Sequence, residues 1–490
     1  MEILSRFTDI MSANINSIGI LKTMEGMRMI KKLIYTVICC LIGISIYVSA
    51  AHAAPNIDIA RSKDRITIKE GVTDEILAQA KEAVGDGEGV RFSLDRMSAE
   101  DIAKICEAFP TMSGLDIGMA MDLTSIAFVA KLTNLTRFEM SAPVADFSPL
   151  SDLTGLNTLK INASYTGQGM LAPDLKWMSK LTNLTELFIA GPIGVKTHTF
   201  VSLEGIPHLP NLTEARFQRV VADLTPLRQA LPGVKKLFLE FSIIENLTPL
   251  TGLPALEELI LYGSTVKDFS PLAGAPALKT LSVGTMTESD FSTLGKLTQV
   301  ENLKIGSEEL EDIAWISGMT GLKNFEVTFA AIANYSPLAT VRLESMFFWR
   351  SRVPVDLKQL SGATSLKKLT LQDIKNTSGF EGLASLVNLE ELSLQRMLAE
   401  NSGAVDLAFI ASLVNLKKLT ISAADITGGF DGVANCVNLE EVEISRATGI
   451  ENFRALMALP NLKRVQVPAD SFTEEQLAGF ASPNVKVSQR

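Results

Sequence analysis

Leu-Pro-Ala-Leu-Glu-Glu-Leu-Ile-Leu, residues 253–261, puts a leucine at the first, fourth, seventh and ninth places of the stretch. The spacing returns at 386–394 as Leu-Val-Asn-Leu-Glu-Glu-Leu-Ser-Leu, and again at Leu132, Leu135, Phe138 and Met140 and at Leu153, Leu156, Leu159 and Ile161. Sixteen units, numbered in chain order, start at 109, 132, 153, 181, 209, 231, 253, 275, 297, 319, 340, 363, 386, 413, 436 and 459. A unit of this length cannot bury its own apolar face, so a fixed period of roughly 20 to 29 residues predicts a stack in which neighbours supply the core.

Within a unit, Glu258-Leu259-Ile260-Leu261-Tyr262 alternates apolar and polar, which is a strand pattern with places 7 and 9 inward and places 6, 8 and 10 outward. Strands joined by crossovers of this length run parallel and in a right-handed sense. They build one sheet, whose open face is the concave side of a solenoid. The return half reads apolar-x-(Asp/Asn)-(Phe/Leu/Tyr)-(Ser/Thr)-Pro-Leu at 144–150, 244–250, 266–272 and 332–338. Such a sequence favours a turn or one tight helical turn over a long helix.

Leu-Thr-Asn-Leu-Thr-Glu-Leu-Phe-Ile at 181–189 and Val-Lys-Asp-Phe-Ser-Pro-Leu at 266–272 resemble bacterial leucine-rich repeats of the internalin type, and the resemblance spans the sixteen units. It implies a leucine-rich repeat solenoid: a right-handed superhelix with a parallel sheet on the concave face and short α or 3-10 elements on the convex face. It also implies a binding role, with a host surface molecule among the conceivable ligands. In that family an asparagine at place 12 forms a ladder beside the sheet. Here place 12 holds Pro143, Ser164, Ser242, Ser264, Glu308 and Ala330, so other groups or water are expected to satisfy those backbone donors.

Length alone suggests several globular domains, but repeats that touch only their neighbours make one elongated array. Hydrophobic residues make up 47% and charged residues 20%, so the chain has enough apolar material to fold throughout. The net charge of −10 and the lack of a basic footprint argue against a nucleic-acid partner.

Arg28, Lys31 and Lys32 precede an apolar run from Leu33 to Val48 and small residues at Ala51 and Ala53. This order reads as a secretory signal peptide at 27–53, cut after Ala53, with an uncleaved membrane anchor as the competing reading. Residues 1–26 read as an over-extended start, since Met27 or Met29 suits a signal better. The protein is therefore expected to be exported, secreted or periplasmic, without stable membrane insertion after cleavage, and monomeric. No cell-wall sorting motif or C-terminal apolar segment is seen, so adhesion at the producing cell's own surface is not expected.

Residues 54–108 and 469–490 read as caps flanking the array at 109–468. Each carries a degenerate strand, Val90–Leu94 and Val485–Val487, and a helix with an N-cap signal, Ser98 with Asp101 and Ser471 with Glu474. Cys39 and Cys40 fall inside the signal. Cys106 and Cys436 stand about fourteen strand spacings of roughly 4.8 Å apart, too far for a disulfide, which needs alpha carbons within about 7 Å.

Most place-8 residues are polar. Phe188, Phe238 and Ile260 are not; with Arg216 between them and Tyr262 at place 10, they form a group on units 4 to 7 spanning about 15 Å. Exposed aromatics flanking an arginine have the composition of an interaction hot spot, although the same residues could merely pack on one another and stiffen the sheet. Phe347 and Trp349 at places 8 and 10 of unit 11 form a second candidate. Insertions at 164–172 and 191–199 run beside the first group, while another near 399–404 does not. Trp177 and Trp315 replace the Pro of Ser-Pro-Leu and read as convex packing.

Places 5 and 6 read Lys367-Lys368, Glu390-Glu391, Lys417-Lys418, Glu440-Glu441 and Lys463-Arg464, so opposite charges should stand on adjacent strands and discourage register slips. Catalytic signals are missing. Two histidines, His198 and His208, follow the signal; no metal spacing appears, and Gly85-Asp-Gly-Glu-Gly89 lacks the setting of a phosphate loop. No cofactor or metal is expected. Asn-Leu-Thr at 134, 183, 211 and 246 matches a glycosylation acceptor but recurs as part of the repeat. The leading reading is a non-enzymatic protein that binds a protein or glycan through its concave face. An effector or envelope protein with an unrecognised enzymatic activity is the alternative.

Overall fold

The computed structural model describes residues 57–489, apart from 61, 70, 163–174, 192–201, 220, 285–288, 375, 398–403, 451–452 and 483. The signal segment lies outside the described residues, as do His198 and nearly all of the three insertions. Residues 1–58 and 59–490 form separate units, and the second carries the repeats.

Place 7 and place 9 side chains are buried throughout, and their strands pair with those of the next unit in unbroken parallel register within a 20-stranded sheet. Glu258↔Thr280, Leu259↔Leu281 and Ile260↔Ser282 are typical, with each place facing the same place one unit on. The sheet continues beyond the sixteen units, through Arg65–Lys69 and Arg91–Asp95 at one end and Lys486–Gln489 at the other. Arg65–Lys69 is a further strand that the repeat pattern did not show. Its Ile66 and Ile68 are fully buried, but the helix Asp74–Val84 follows it instead of a repeat turn.

Most return halves carry a single 3-10 turn, including Ser148–Leu150, Thr248–Gly252, Ser270–Gly274 and Ser336–Thr340, while unit 5 uses the α-helical turn Leu227–Ala230 and short second strands pair Val221–Ala222 with Ile243–Ile244 and Val405–Asp406 with Ile426–Gly428. The preceding Asp or Asn sets each one. Asp146, Asn246, Asp268 and Asn334 accept through Oδ1 from the backbone N–H two residues on, at 2.8–3.0 Å. Phenylalanines line the same side as rings in series, Phe269 with Phe291 at 6.3 Å and Phe430 with Phe453 at 5.7 Å.

The missing asparagine at place 12 is replaced in two ways. At place 11 the backbone turns left-handed, as at Phe241, Phe329, Arg350, Asp373, Arg396 and Ala423 with φ of 50–59°. In that pose each N–H donates to the place-10 carbonyl of the next unit, for example Phe241 to Tyr262 and Arg350 to Gln372. At place 12 the buried Ser264 hydroxyl accepts from the Ser242 N–H and donates to the Leu239 carbonyl.

An asparagine ladder does exist, at place 3. Asn183, Asn211, Asn388, Asn415, Asn438 and Asn461 each donate through Nδ2 to the place-2 carbonyl of the preceding unit, at 2.9–3.0 Å. The Thr of Asn-Leu-Thr adds a parallel ladder from Thr185 and Thr213 to backbone carbonyls. The acceptor-like motif is therefore scaffold.

Two boundaries are corrected. Unit 11 does not place Thr340 inward: Thr340 is exposed and Val341 is buried, because this unit has one residue fewer in its turn. Its strand is nonetheless in register, with Phe347 opposite Glu326. The C-terminal helix Glu474–Ala478 starts at Thr473, whose hydroxyl and Gln476 form a capping box; Ser471 instead donates to the Pro468 carbonyl.

Cys106 and Cys436 are buried free thiols, each pushed up to about 12 by desolvation. Tyr335 is 1% exposed, and its hydroxyl has no partner among the described residues. Burial also pushes its ionisation upward. An unpaired buried hydroxyl carries a desolvation cost, so Tyr335→Phe should stabilise the protein by about 1 kcal/mol. A lower denaturation midpoint for that variant would show that the hydroxyl has a partner after all.

Candidate functional site

Register brings the first predicted group together. Phe188 faces Arg216, Arg216 faces Phe238 and Phe238 faces Ile260 on four consecutive strands. All four side chains are half-buried, whereas Tyr262 is 55% exposed. The Arg216 guanidinium lies 4.1 Å from the Phe238 ring centroid, a cation–π contact worth about 0.5–1 kcal/mol at a surface. Glu240 also pairs with it, 3.8 Å from Nε, and accepts from Gln218 at 2.7 Å. Arg216 is thereby held over the Phe238 ring within an apolar row.

Phe347 and Trp349 lie on the strand Ser345–Trp349, both half-buried and both on the open face. They are separate from the first group by the strands of units 8 to 10.

Two residues that the sequence reading missed are Phe241 and Phe329, both at place 11. Their left-handed backbone turns each ring back against the aromatic at place 10 of the next strand. Phe241 meets Tyr262 edge-on at 5.9 Å, and Phe329 meets Trp349 at 4.9 Å with Arg350 5.7 Å from the Phe329 ring. Among the units, aromatics at place 11 occur in these two alone, and each is followed by the only aromatics at place 10. That coincidence is a readable signal, but it lies at place 11, outside the outward places 6, 8 and 10 from which the face is read.

Between the two groups the face is polar. A hollow of about 250 Å³ is lined by Thr280 and Ser282 from unit 8, Asn302 and Lys304 from unit 9, and Asn324 and Glu326 from unit 10, with Phe347 at its end. The amide of Asn324 donates to Asn302 Oδ1 at 2.6 Å, and Asn302 donates to Thr280 Oγ1 at 3.1 Å. Lys304 and Glu326 pair at 2.6 Å. Beside the hollow, Glu301 bridges Lys279 and Lys323 at 3.0 and 2.7 Å; hydrogen bonds from Lys323 and then Lys279 hold its carboxyl below the usual range.

The charged rows of the C-terminal half pair across strands as expected, Lys368 with Glu391 at 2.7 Å and Lys417 with Glu390 at 2.7 Å. These are solvated pairs whose signs alternate, so they specify register more than they attract a ligand. At the other end Asp116, 8% exposed, is salt-bridged to Arg91. Burial raises its carboxyl above the ordinary value in spite of that partner. Trp177 stacks on Phe147 at 5.7 Å and Trp315 donates to the Asp312 carbonyl at 2.9 Å, which is packing in both cases.

Among the described residues, no group of His, Cys, Asp and Glu is placed to hold a metal, and no helix is long and apolar enough to cross a membrane.

One strand per unit in the long parallel sheet, short returns that are mostly 3-10 turns and a core built between neighbours make this chain a leucine-rich repeat solenoid. Its repeat sequence resembles the internalin type at 181–189 and 266–272. Several solved structures share the fold. The chain is similar to Toll in the Drosophila Toll–Spatzle complex, at 14% identity over 90% of this chain and 63% of that one, with a TM-score of 0.54. It is also similar to TLR13 in the TLR13–ssRNA13 complex, at 16% identity, 84% and 68% coverage and a TM-score of 0.53. An internalin (inlF) from Listeria monocytogenes matches at 19% identity over 69% of this chain and 82% of that one, with a TM-score of 0.39. No protein-family model and no curated sequence matches the chain.

Proposed function

We propose that this is an exported, non-enzymatic leucine-rich repeat protein that binds a protein partner through the open face of its sheet, centred on Phe188, Arg216, Phe238, Ile260 and Tyr262. The observation that carries this reading is the unbroken row Phe188–Arg216–Phe238–Ile260 on consecutive strands, with the Arg216 guanidinium over the Phe238 ring. Aromatic residues and arginine are the side chains that dominate binding energy at protein interfaces. A rigid sheet presents them without ordering a loop, which limits the entropy lost on association.

The acidic balance, −10 overall, favours a protein over a polyanion. Export rests on the basic start, apolar run and small residues at 27–53, and a protein reaching a host surface molecule would need such a route. Two of the similar structures, named for complexes with Spatzle and with ssRNA13, show that the same architecture serves recognition in those proteins.

The test is the combined variant Phe188→Ala, Phe238→Ala and Tyr262→Ala in the full chain, after the partner has been trapped by a crosslinker placed at residue 238. Partner capture should fall at least about tenfold, as loss of hot-spot side chains does. Undiminished capture by a variant with an unchanged thermal melt would remove the patch from consideration.

A further inference from the structure

We propose that units 7 to 11 form a binding trough for an uncharged β-linked oligosaccharide, closed at one end by Ile260 and Tyr262 and at the other by Phe347 and Trp349. The trough shares Tyr262 with the protein-binding patch but rests on different observations and does not depend on it.

The register defines its walls and floor. At place 8, Ile260 neighbours Ser282, then Lys304, Glu326 and Phe347. At place 10, Tyr262 is followed by Gly284, Gly306, Thr328 and Trp349. Large apolar side chains therefore bracket three strands of small or hydrogen-bonding residues along both rows. Four strand steps of about 4.8 Å separate the walls, roughly 19 Å, the reach of a short oligosaccharide. The edge aromatics are braced at both ends by the missed residues, Phe241 against Tyr262 and Phe329 against Trp349. Tyr262 also leans into the trough: a Cβ on Gly284 would stand 2.6 Å from its ring.

The chemistry of the floor selects the ligand class. A protein interface puts apolar residues at its centre and polar ones at its rim, and this trough has the reverse order. A sugar presents closely spaced hydroxyls along its edges and C–H groups on its ring faces. The hydroxyls match Thr280, Ser282, Asn302 and Asn324, and the ring faces match aromatic side chains, whose apolar bodies tolerate a wet surrounding. The amide ladder uses one N–H of Asn302 and one of Asn324, leaving the second N–H of each for a ligand oxygen. Lys304 and Glu326 cancel each other at 2.6 Å, so the floor offers no net charge to an anionic or cationic group. The ring faces of β-linked glucose-type sugars carry hydrogens with the hydroxyls pushed to the edge, which suits aromatic ends and a polar floor.

The experiment is calorimetric titration of the full-length protein with cellotetraose, the fully N-acetylated chitin tetrasaccharide and a hyaluronan tetrasaccharide. Saturable binding of at least one neutral tetrasaccharide is expected, weakened about tenfold or more by Phe347→Ala and, separately, by the exposed Asn324→Ala. Phe188→Ala with Phe238→Ala should leave that binding unchanged while reducing capture of the protein partner, so the two sites fail independently. The proposal is overturned if neither neutral sugar binds the folded protein, if the charged tetrasaccharide binds more tightly than both, or if Phe347→Ala combined with Asn324→Ala binds as the parent does.

Discussion

Phe348→Ala is expected to lower stability by about 3–5 kcal/mol, the loss usual for a fully enclosed phenylalanine. Phe348 is 0% exposed at place 9 of unit 11, with its ring 5.1 Å from that of Tyr335 in the preceding turn. Removing it takes apolar contact from the interface between units 10 and 11, and an array has no other core to compensate, because each unit touches only its neighbours. Urea denaturation followed by circular dichroism should show an earlier onset and a broadened or two-step transition as the segments on either side lose their coupling. A single transition at the parent midpoint would mean that the core is not divided unit by unit as the register implies.

Gly429→Ala should cost about 2–5 kcal/mol, for two separable reasons. Gly429 caps the 3-10 turn Phe430–Asn435 with φ 80°, a conformation that costs a residue with a side chain about 1–2 kcal/mol. A Cβ there would also stand 2.5 Å from the Leu407 carbonyl carbon in the neighbouring unit, and backbone cannot swing aside as a side chain can. Forced overpacking adds about 1–3 kcal/mol. Gly89→Ala supplies the comparison, since Gly89 has φ 74° in the turn closed by the Val90 N–H donating to the Gly87 carbonyl but nothing within 4 Å of its Cβ position, and should cost only the conformational part. Equal losses for the two variants would show that the units are less tightly stacked than the contacts indicate.

Much of the scaffold was legible in residues 253–261 and their copies, because a leucine at place 7 or 9 has one environment available, the space between adjacent units. Place 8 could also be read ahead of the structure, since a fixed period puts Phe188, Arg216, Phe238 and Ile260 in one row once parallel register holds. The turns were less legible. A missing asparagine at place 12 suggested a weakened ladder, yet the backbone satisfied itself by turning left-handed at place 11, and a second ladder of asparagines runs through place 3. Thr340 was misassigned for a related reason: a turn can absorb one residue fewer without disturbing the strand that follows.

The candidate site divides along the same line. Spacing along the chain named Phe347 and Trp349 but left them isolated, four units from Tyr262. Their relation to it depends on what lies across the sheet, where Thr280, Ser282 and the amides of Asn302 and Asn324 line a polar hollow that ends at Phe347, and Gly284 and Gly306 follow Tyr262 along place 10. Phe241 and Phe329 belong to those ends solely because a positive φ tips their rings onto the next strand.

From the order of residues alone came the period, the inward-facing set, the parallel sheet and the outward place-8 row, since each follows from burying one apolar face per unit against the next. The closure of the turns, the bracing of the edge aromatics and the shape of the trough were decided in three dimensions. They depend on left-handed backbone geometry and on side chains some 22 residues apart meeting across a strand spacing, and local sequence carries no direct record of either.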